Sequence, residues 1–281
     1  MGKMDSNNNM EKLKGKYIKL WWDTDKSFPA LSEEISLKEK ILREKHMNKF
    51  LNDLFSNLKK CPDNEDKRTA WRNTLWEMIK DFGRASGFNE DEINSDFSKA
   101  LPITTNEFIR SVKEFNKDIS LDKIVQAIRN LWIMNILQAL FNIKIECTPS
   151  AFAYSMLYPY TDNYLDNPEI SLQDKKLINE RFKLRLEGEG IKAENSYEED
   201  LFKLVSMIEG QYSRSSFAEI YESLLYIHAA QCNSLTQQNG ITSPYEKDIL
   251  GISFEKGGAS VLSDAYLVNG RMKAGETDFM F

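Results

Sequence analysis

Histidine is nearly absent: His46 and His228 are the only two in 281 residues. That is too few for a histidine-rich metal centre or a His-based catalytic network. Cysteine is scarce as well. Cys61, Cys147 and Cys232 are odd in number and far apart, which argues against a disulfide framework or a CxxC zinc site and suits a reducing, cytoplasmic setting. Proline occurs seven times, almost always between segments of helical periodicity, and alternating β-branched runs are rare; both point to an all-α chain. No apolar run reaches the ~20 residues that a membrane span needs. The nearest, Leu131 to Ile145, contains Asn135, Gln138, Asn142 and Lys144 and is expected to form a buried helix. An excess of basic residues is missing too. A net charge of −6 excludes a general nucleic-acid binder, because phosphate backbones are bound by basic surfaces. What remains for chemistry is carboxylates, lysine, arginine and a bound metal.

What is present is the composition of an ordinary globular protein, 41% hydrophobic and 28% charged. Residues 1–29 read as an irregular N-terminal segment whose Tyr17–Trp22 aromatic patch docks on the body. Residues 30–281 read as one all-α domain, with helix starts at Ser36, Thr104, Ser120, Thr148-Pro149 and Ser171. An acidic segment from Asn89 closes at Pro102, and Gly188, Gly210 and Asn239-Gly240 mark helix ends. A stripe from Phe217 to Leu235 keeps helical spacing, with His228 on it as a hydrogen-bonded core residue. The acidic runs Asn89–Asp96 and Glu198–Asp200 read as solvated faces.

The most informative stretch runs from Tyr158 to Pro168. Thr148-Pro149 opens a helix that ends there, Pro159 predicts a kink within it, and Asp162 and Asp166 follow one helical turn apart. Like charges at that spacing repel by roughly 0.2–0.5 kcal/mol, and acids at a helix C-terminus also oppose the helix dipole. A hard divalent cation relieves both, since Mg²⁺ binds one or two carboxylates together with substrate phosphates. Later in the chain Lys256 precedes Gly257 and Gly258 inside a helical pattern. Two glycines there cost about 1 kcal/mol each and require a reason, such as the close approach of a ligand or a neighbouring helix.

An all-α chain carrying Asp162-Asn163-Tyr164-Leu165-Asp166 at a helix end and Lys256-Gly257-Gly258 later resembles the class I isoprenoid (terpenoid) synthase superfamily, closest in texture to bacterial trans-prenyltransferases and large-terpene synthases. The resemblance covers roughly residues 130–270. It implies a single large helical bundle around a central apolar cavity, in which Mg²⁺ held by Asp162 and Asp166 binds a prenyl diphosphate. The enzyme would ionise that substrate, then condense or cyclise the allylic cation. Lys256 would be a further catalytic residue, with Arg214, Tyr158, Asn163 and Asp264 as substrate-binding residues. The pattern departs from the family where Asn163 stands in place of a second Asp, and where a second metal motif falls past Phe281. Asn239, Ser243 and Glu246 have the wrong spacing to supply that motif. More helix is therefore expected after residue 281. The resemblance also allows a homodimer and weak membrane association through an apolar product. The competing reading is a catalytically inactive all-α lipid-binding or scaffold protein of the same fold.

Overall fold

The computed structural model describes residues 5–27, 35–62, 64–93, 95–235 and 248–281. The Asn239–Glu246 stretch and Pro29 lie outside them. The described residues are helical with no strand, as the proline and periodicity pattern predicts. The chain divides into two units, residues 25–102 in one and residues 1–24 with 103–281 in the other, where the sequence reading placed a boundary at residue 29.

In the smaller unit, α2 (Leu37–Leu58) and α3 (Glu65–Ala85) form a hairpin. Ser36 caps α2 through the Glu39 amide, and Asn64 caps α3 through the Asp66 and Lys67 amides. Phe50 stacks on Phe82 at 4.2 Å between ring centroids, and Trp71 Nε1 donates to the Asn57 carbonyl at 2.9 Å. No residue of α2 is buried, so its apolar stripe is a half-covered face rather than a core. The short α4 (Glu90–Ile93) is capped reciprocally by Asn89 and Glu92, which assigns part of the acidic run to helix capping.

The next helix, α5 (Asp96–Phe115), contains Pro102 in its first two turns and Thr104 as a buried interior residue. The expected break at Pro102 does not occur. As the seventh residue of the helix, Pro102 forfeits the bond to the Ser98 carbonyl, and the helix continues because Phe108 and Val112 beyond it are buried.

The larger unit opens with α1 (Asp5–Asp23), a helix where the sequence reading expected irregular chain. Its Met10 and Leu13 are buried one turn apart, and Trp21 packs edge-on against Phe254, with ring centroids 6.3 Å apart. The remaining helices are α6 (Leu121–Leu140), α7 (Pro149–Asp166), α8 (Leu172–Glu187), α9 (Ser196–Gln211), α10 (Ala218–Ser234), α11 (Ile249–Asn269) and α12 (Ala274–Met280). Ser120, Thr148 and Ser171 cap α6, α7 and α8 through amides three residues on, as their sequence positions predict. Gly188 closes α8 at φ 92°, a conformation glycine adopts without steric cost.

At the centre is α7, buried over Ser150–Leu157 and packed on α6, α9 and α11. Its neighbour α6 is buried on one side only: Trp132, Ile133, Ile136 and Leu140 are exposed, while Asn135 and Gln138 face inward. The expectation of a helix buried on most sides is corrected here. The inward amides are satisfied, since Thr104 Oγ1 donates to Asn135 Oδ1 (2.8 Å) and Gln138 Nε2 to the Glu146 carbonyl (3.0 Å). A satisfied amide is tolerated inside, where an unpaired one costs about 1–3 kcal/mol.

Candidate functional site

One face of α7 meets α11 and the other meets α9. Residues 162 and 166 fall on one side, and 160 and 164, two residues out of phase, fall on the opposite side. On the α9 side, the Tyr160 hydroxyl donates to Asp200 Oδ2 (2.9 Å) and accepts from Asn116 Nδ2 (2.9 Å). Tyr197 stacks on Tyr164 at 4.7 Å and donates its hydroxyl proton to the Tyr160 carbonyl at 2.8 Å. This ladder fixes the rotation of the helix end about its axis and so decides where Asp162 points.

On the α11 side, Lys256 Nζ lies 3.2 Å from Asp162 Oδ1 and donates to it. The Asp162 side chain is 16% exposed and that of Lys256 38%, so the pair sits at a rim. Asp166 is exposed one turn further on, in the last turn of α7. Asn163 turns to α6 and donates to Gln126 Oε1 at 2.9 Å. Below the rim is a crevice of about 30 Å³ between α7, α8 and α10, lined by Tyr154, Tyr158, Thr161, Phe182 and His228 among others. Tyr154 and Tyr158 wall it together with Phe182, but it has room for only a few water molecules, far smaller than the prenyl-sized cavity the resemblance implies.

Asp264 is deeper, 1% exposed, and accepts from Asn130 Nδ2 at 3.1 Å. Asn130 also reaches Ser155 Oγ at 3.4 Å, so Asp264 joins a core network linking α6, α7 and α11. Burial raises its pKa from the ordinary 3.8 to about 8, against the opposing pull of the Asn130 hydrogen bond. The Tyr154 hydroxyl is pushed above its ordinary value first by burial and then by the Asp264 charge.

Arg214 is engaged elsewhere. Its guanidinium donates to Glu209 Oε1 (2.8 Å) and to the Leu186 and Arg185 carbonyls (2.6 and 3.1 Å), and lies 4.0 Å from the Tyr221 ring centroid. These carbonyls lie in the last turn of α8, where an arginine adds to the cap that the Gly188 amide makes to the Arg185 carbonyl. The lip is adjacent to the start of α8 through the five-residue turn 167–171, whereas Arg214 holds its far end, roughly 24 Å away for a 16-residue helix. Order in the chain therefore did not translate into proximity.

The glycine pair divides. A Cβ on Gly258 would stand 2.7 Å from the Phe281 carbonyl oxygen and 3.0 Å from its ring, whereas Gly257 has open space. The close approach that the motif required is made by the chain's own α12 end. Glu198, read as part of a solvated run, is buried and accepts two hydrogen bonds from Arg181 (2.5 and 2.9 Å), which hold its carboxyl below the ordinary value.

Sequence reasoning missed a cavity of about 530 Å³ between α8 and α10 that shares His228 with the crevice. The signal was the seven-residue spacing of Lys176 and Lys183 on the α8 face opposite His228 and Cys232. No protein family matches this chain, and no curated protein or solved structure is significantly similar to it.

Proposed function

We propose that the chain is a class I isoprenoid synthase-like enzyme that ionises a prenyl diphosphate at the α7–α11 rim. The observation that carries this reading is the 3.2 Å approach of Lys256 to Asp162, which joins the acid motif and the Lys-Gly-Gly helix across 94 residues of sequence. An all-α scaffold and an aromatic crevice directly beneath the rim support it.

The donor set fits Mg²⁺ chemically. Asp162 and Asp166 offer hard oxygen ligands one turn apart, and a substrate diphosphate supplies the rest. Among the described residues no group of three or more His, Cys, Asp or Glu side chains is arranged to hold a metal ion, so the phosphates are needed to complete the coordination. When bound, Mg²⁺ neutralises the departing diphosphate. The ammonium of Lys256 is a donor that can turn from Asp162 to a phosphate oxygen and stabilise the charge developing on it. Tyr154 and Tyr158 present ring faces that attract an allylic cation. The crevice must widen to admit a prenyl chain.

The test is incubation with Mg²⁺ and geranyl, farnesyl and longer prenyl diphosphates, following diphosphate release and organic-phase product. Release that is lost in Asp162→Ala supports the reading. No release with any substrate would instead favour a lipid-binding or scaffold protein of the same fold.

A further inference from the structure

The α8–α10 cavity has walls built from two helical stripes. On α8, Leu172, Lys176, Asn179, Glu180 and Lys183 face it; on α10 and its C-cap, His228, Cys232 and Leu235. Lys176 and Lys183 are two turns apart and point the same way. At about 530 Å³ the space falls within the ~300–1,000 Å³ typical of small-molecule sites.

The α10 wall is uncharged. Cys232 Sγ lies 3.6 Å from His228 Nε2, a contact in which the imidazole tautomer sets which group donates. Burial drives the imidazole down to about 4 and the thiol up to about 11, so both are neutral near pH 7. The thiol is therefore a poor nucleophile, and the pair acts as a polarisable, half-apolar wall. The charged groups facing the space are Lys176, Lys183 and Glu180, and Lys183 Nζ also lies 4.0 Å from Glu187 Oε1 one turn further along α8. Leu172 and Leu235 supply apolar surface at its edges.

We propose that this cavity is a second ligand site, separate from the Asp162–Lys256 rim, that takes a small monoanion carrying an apolar chain. Its head group lies between Lys176 and Lys183, and its chain lies against Leu172, Cys232 and Leu235. The inference stands on the cavity, the lysine spacing and the neutral His–Cys wall, and does not depend on the reading of the rim.

Equilibrium dialysis of the full chain against radiolabelled decanoate tests it, with decyltrimethylammonium as the cationic counterpart. Saturable decanoate binding is expected, with the cation at least roughly tenfold weaker. The double variant Lys176→Gln with Lys183→Gln should lose roughly tenfold in decanoate affinity while its melting temperature is kept, since both lysines are exposed. Cys232→Trp, which fills the space, should abolish binding. As a second readout in a Cys61→Ser, Cys147→Ser background, decanoate should slow alkylation of Cys232 saturably.

Absence of saturable binding, equal binding of the cation, or full affinity in the double-lysine variant would each overturn the proposal. Competition between decanoate and geranyl diphosphate would overturn the separateness of the site. An Asp162→Asn protein that binds decanoate normally but releases no diphosphate leaves both readings standing. A wild-type protein that binds decanoate but ionises no prenyl diphosphate removes the enzyme reading alone.

Discussion

Lys256 Nζ donates to Asp162 Oδ1 at 3.2 Å, so the acid that would hold a metal is neutralised in the ligand-free protein by a lysine from the facing helix. The pair has partial solvent access, and rim ion pairs contribute little to stability. Lys256→Met should lower unfolding free energy by less than about 1 kcal/mol. Inorganic diphosphate binding in the presence of Mg²⁺ should weaken by roughly tenfold or more, because a positive donor is lost at the anion. Urea melts and isothermal titration calorimetry measure the two effects separately, and a large stability loss with unchanged diphosphate affinity would assign Lys256 a structural role.

Asp264 makes the stability of the larger unit depend on pH. Its folded-state pKa of about 8 lies above the ordinary 3.8, so the folded protein favours the protonated acid. The contribution is fully present below pH ~4 and is lost as pH rises from there to about 8. Asp264→Asn keeps an oxygen for Asn130 to donate to and carries no charge. Relative to wild type it should gain stability at pH 8 and change little at pH 4. Urea midpoints at the two pH values check this, and equal differences at both would show that Asp264 is not held protonated.

Arg214 ties the end of α8 to α9 and α10 through Glu209, two helix-terminal carbonyls and the Tyr221 ring. Arg214→Ala should cost roughly 1–3 kcal/mol and leave diphosphate affinity unaltered. A variant that melts normally but loses diphosphate binding would return Arg214 to the substrate-binding role implied by the resemblance.

The two neighbouring glycines of α11 should respond with opposite signs. Gly257→Ala meets open space and should stabilise the helix by up to about 1 kcal/mol. At Gly258 the new methyl would press on the Phe281 backbone and ring. Alanine there should destabilise the protein and displace α12, seen as faster hydrogen exchange over Ala274–Met280 than in the Gly257 variant.

Much of the helical layout is legible locally. Ser120, Thr148, Ser171 and Gly188 end helices by bonding within one turn of themselves, so a window of a few residues carries the information. Pro102 misled because a proline in the second turn forfeits one backbone bond without ending a helix whose later residues are buried, and Pro159 inside α7 behaves the same way. Residues 5–23 read as irregular because the stretch to Lys16 is polar and Asn-rich, yet Met10 and Leu13 are buried once α10 and α11 offer a surface to cover them.

The sequence alone determined an all-helical chain, an acid pair presented on one face at the end of α7, and a lysine on a glycine-containing helix, because helical periodicity and capping act over one or two turns. Tertiary packing decided the rest. It turned Lys256 towards Asp162, sent Arg214 to the far end of α8, placed Phe281 against Gly258, left a second apolar side of α6 exposed and opened the cavity beside His228. These outcomes depend on which faces meet across tens of residues of chain, and that is settled by side-chain volume and by the need to pair buried polar groups.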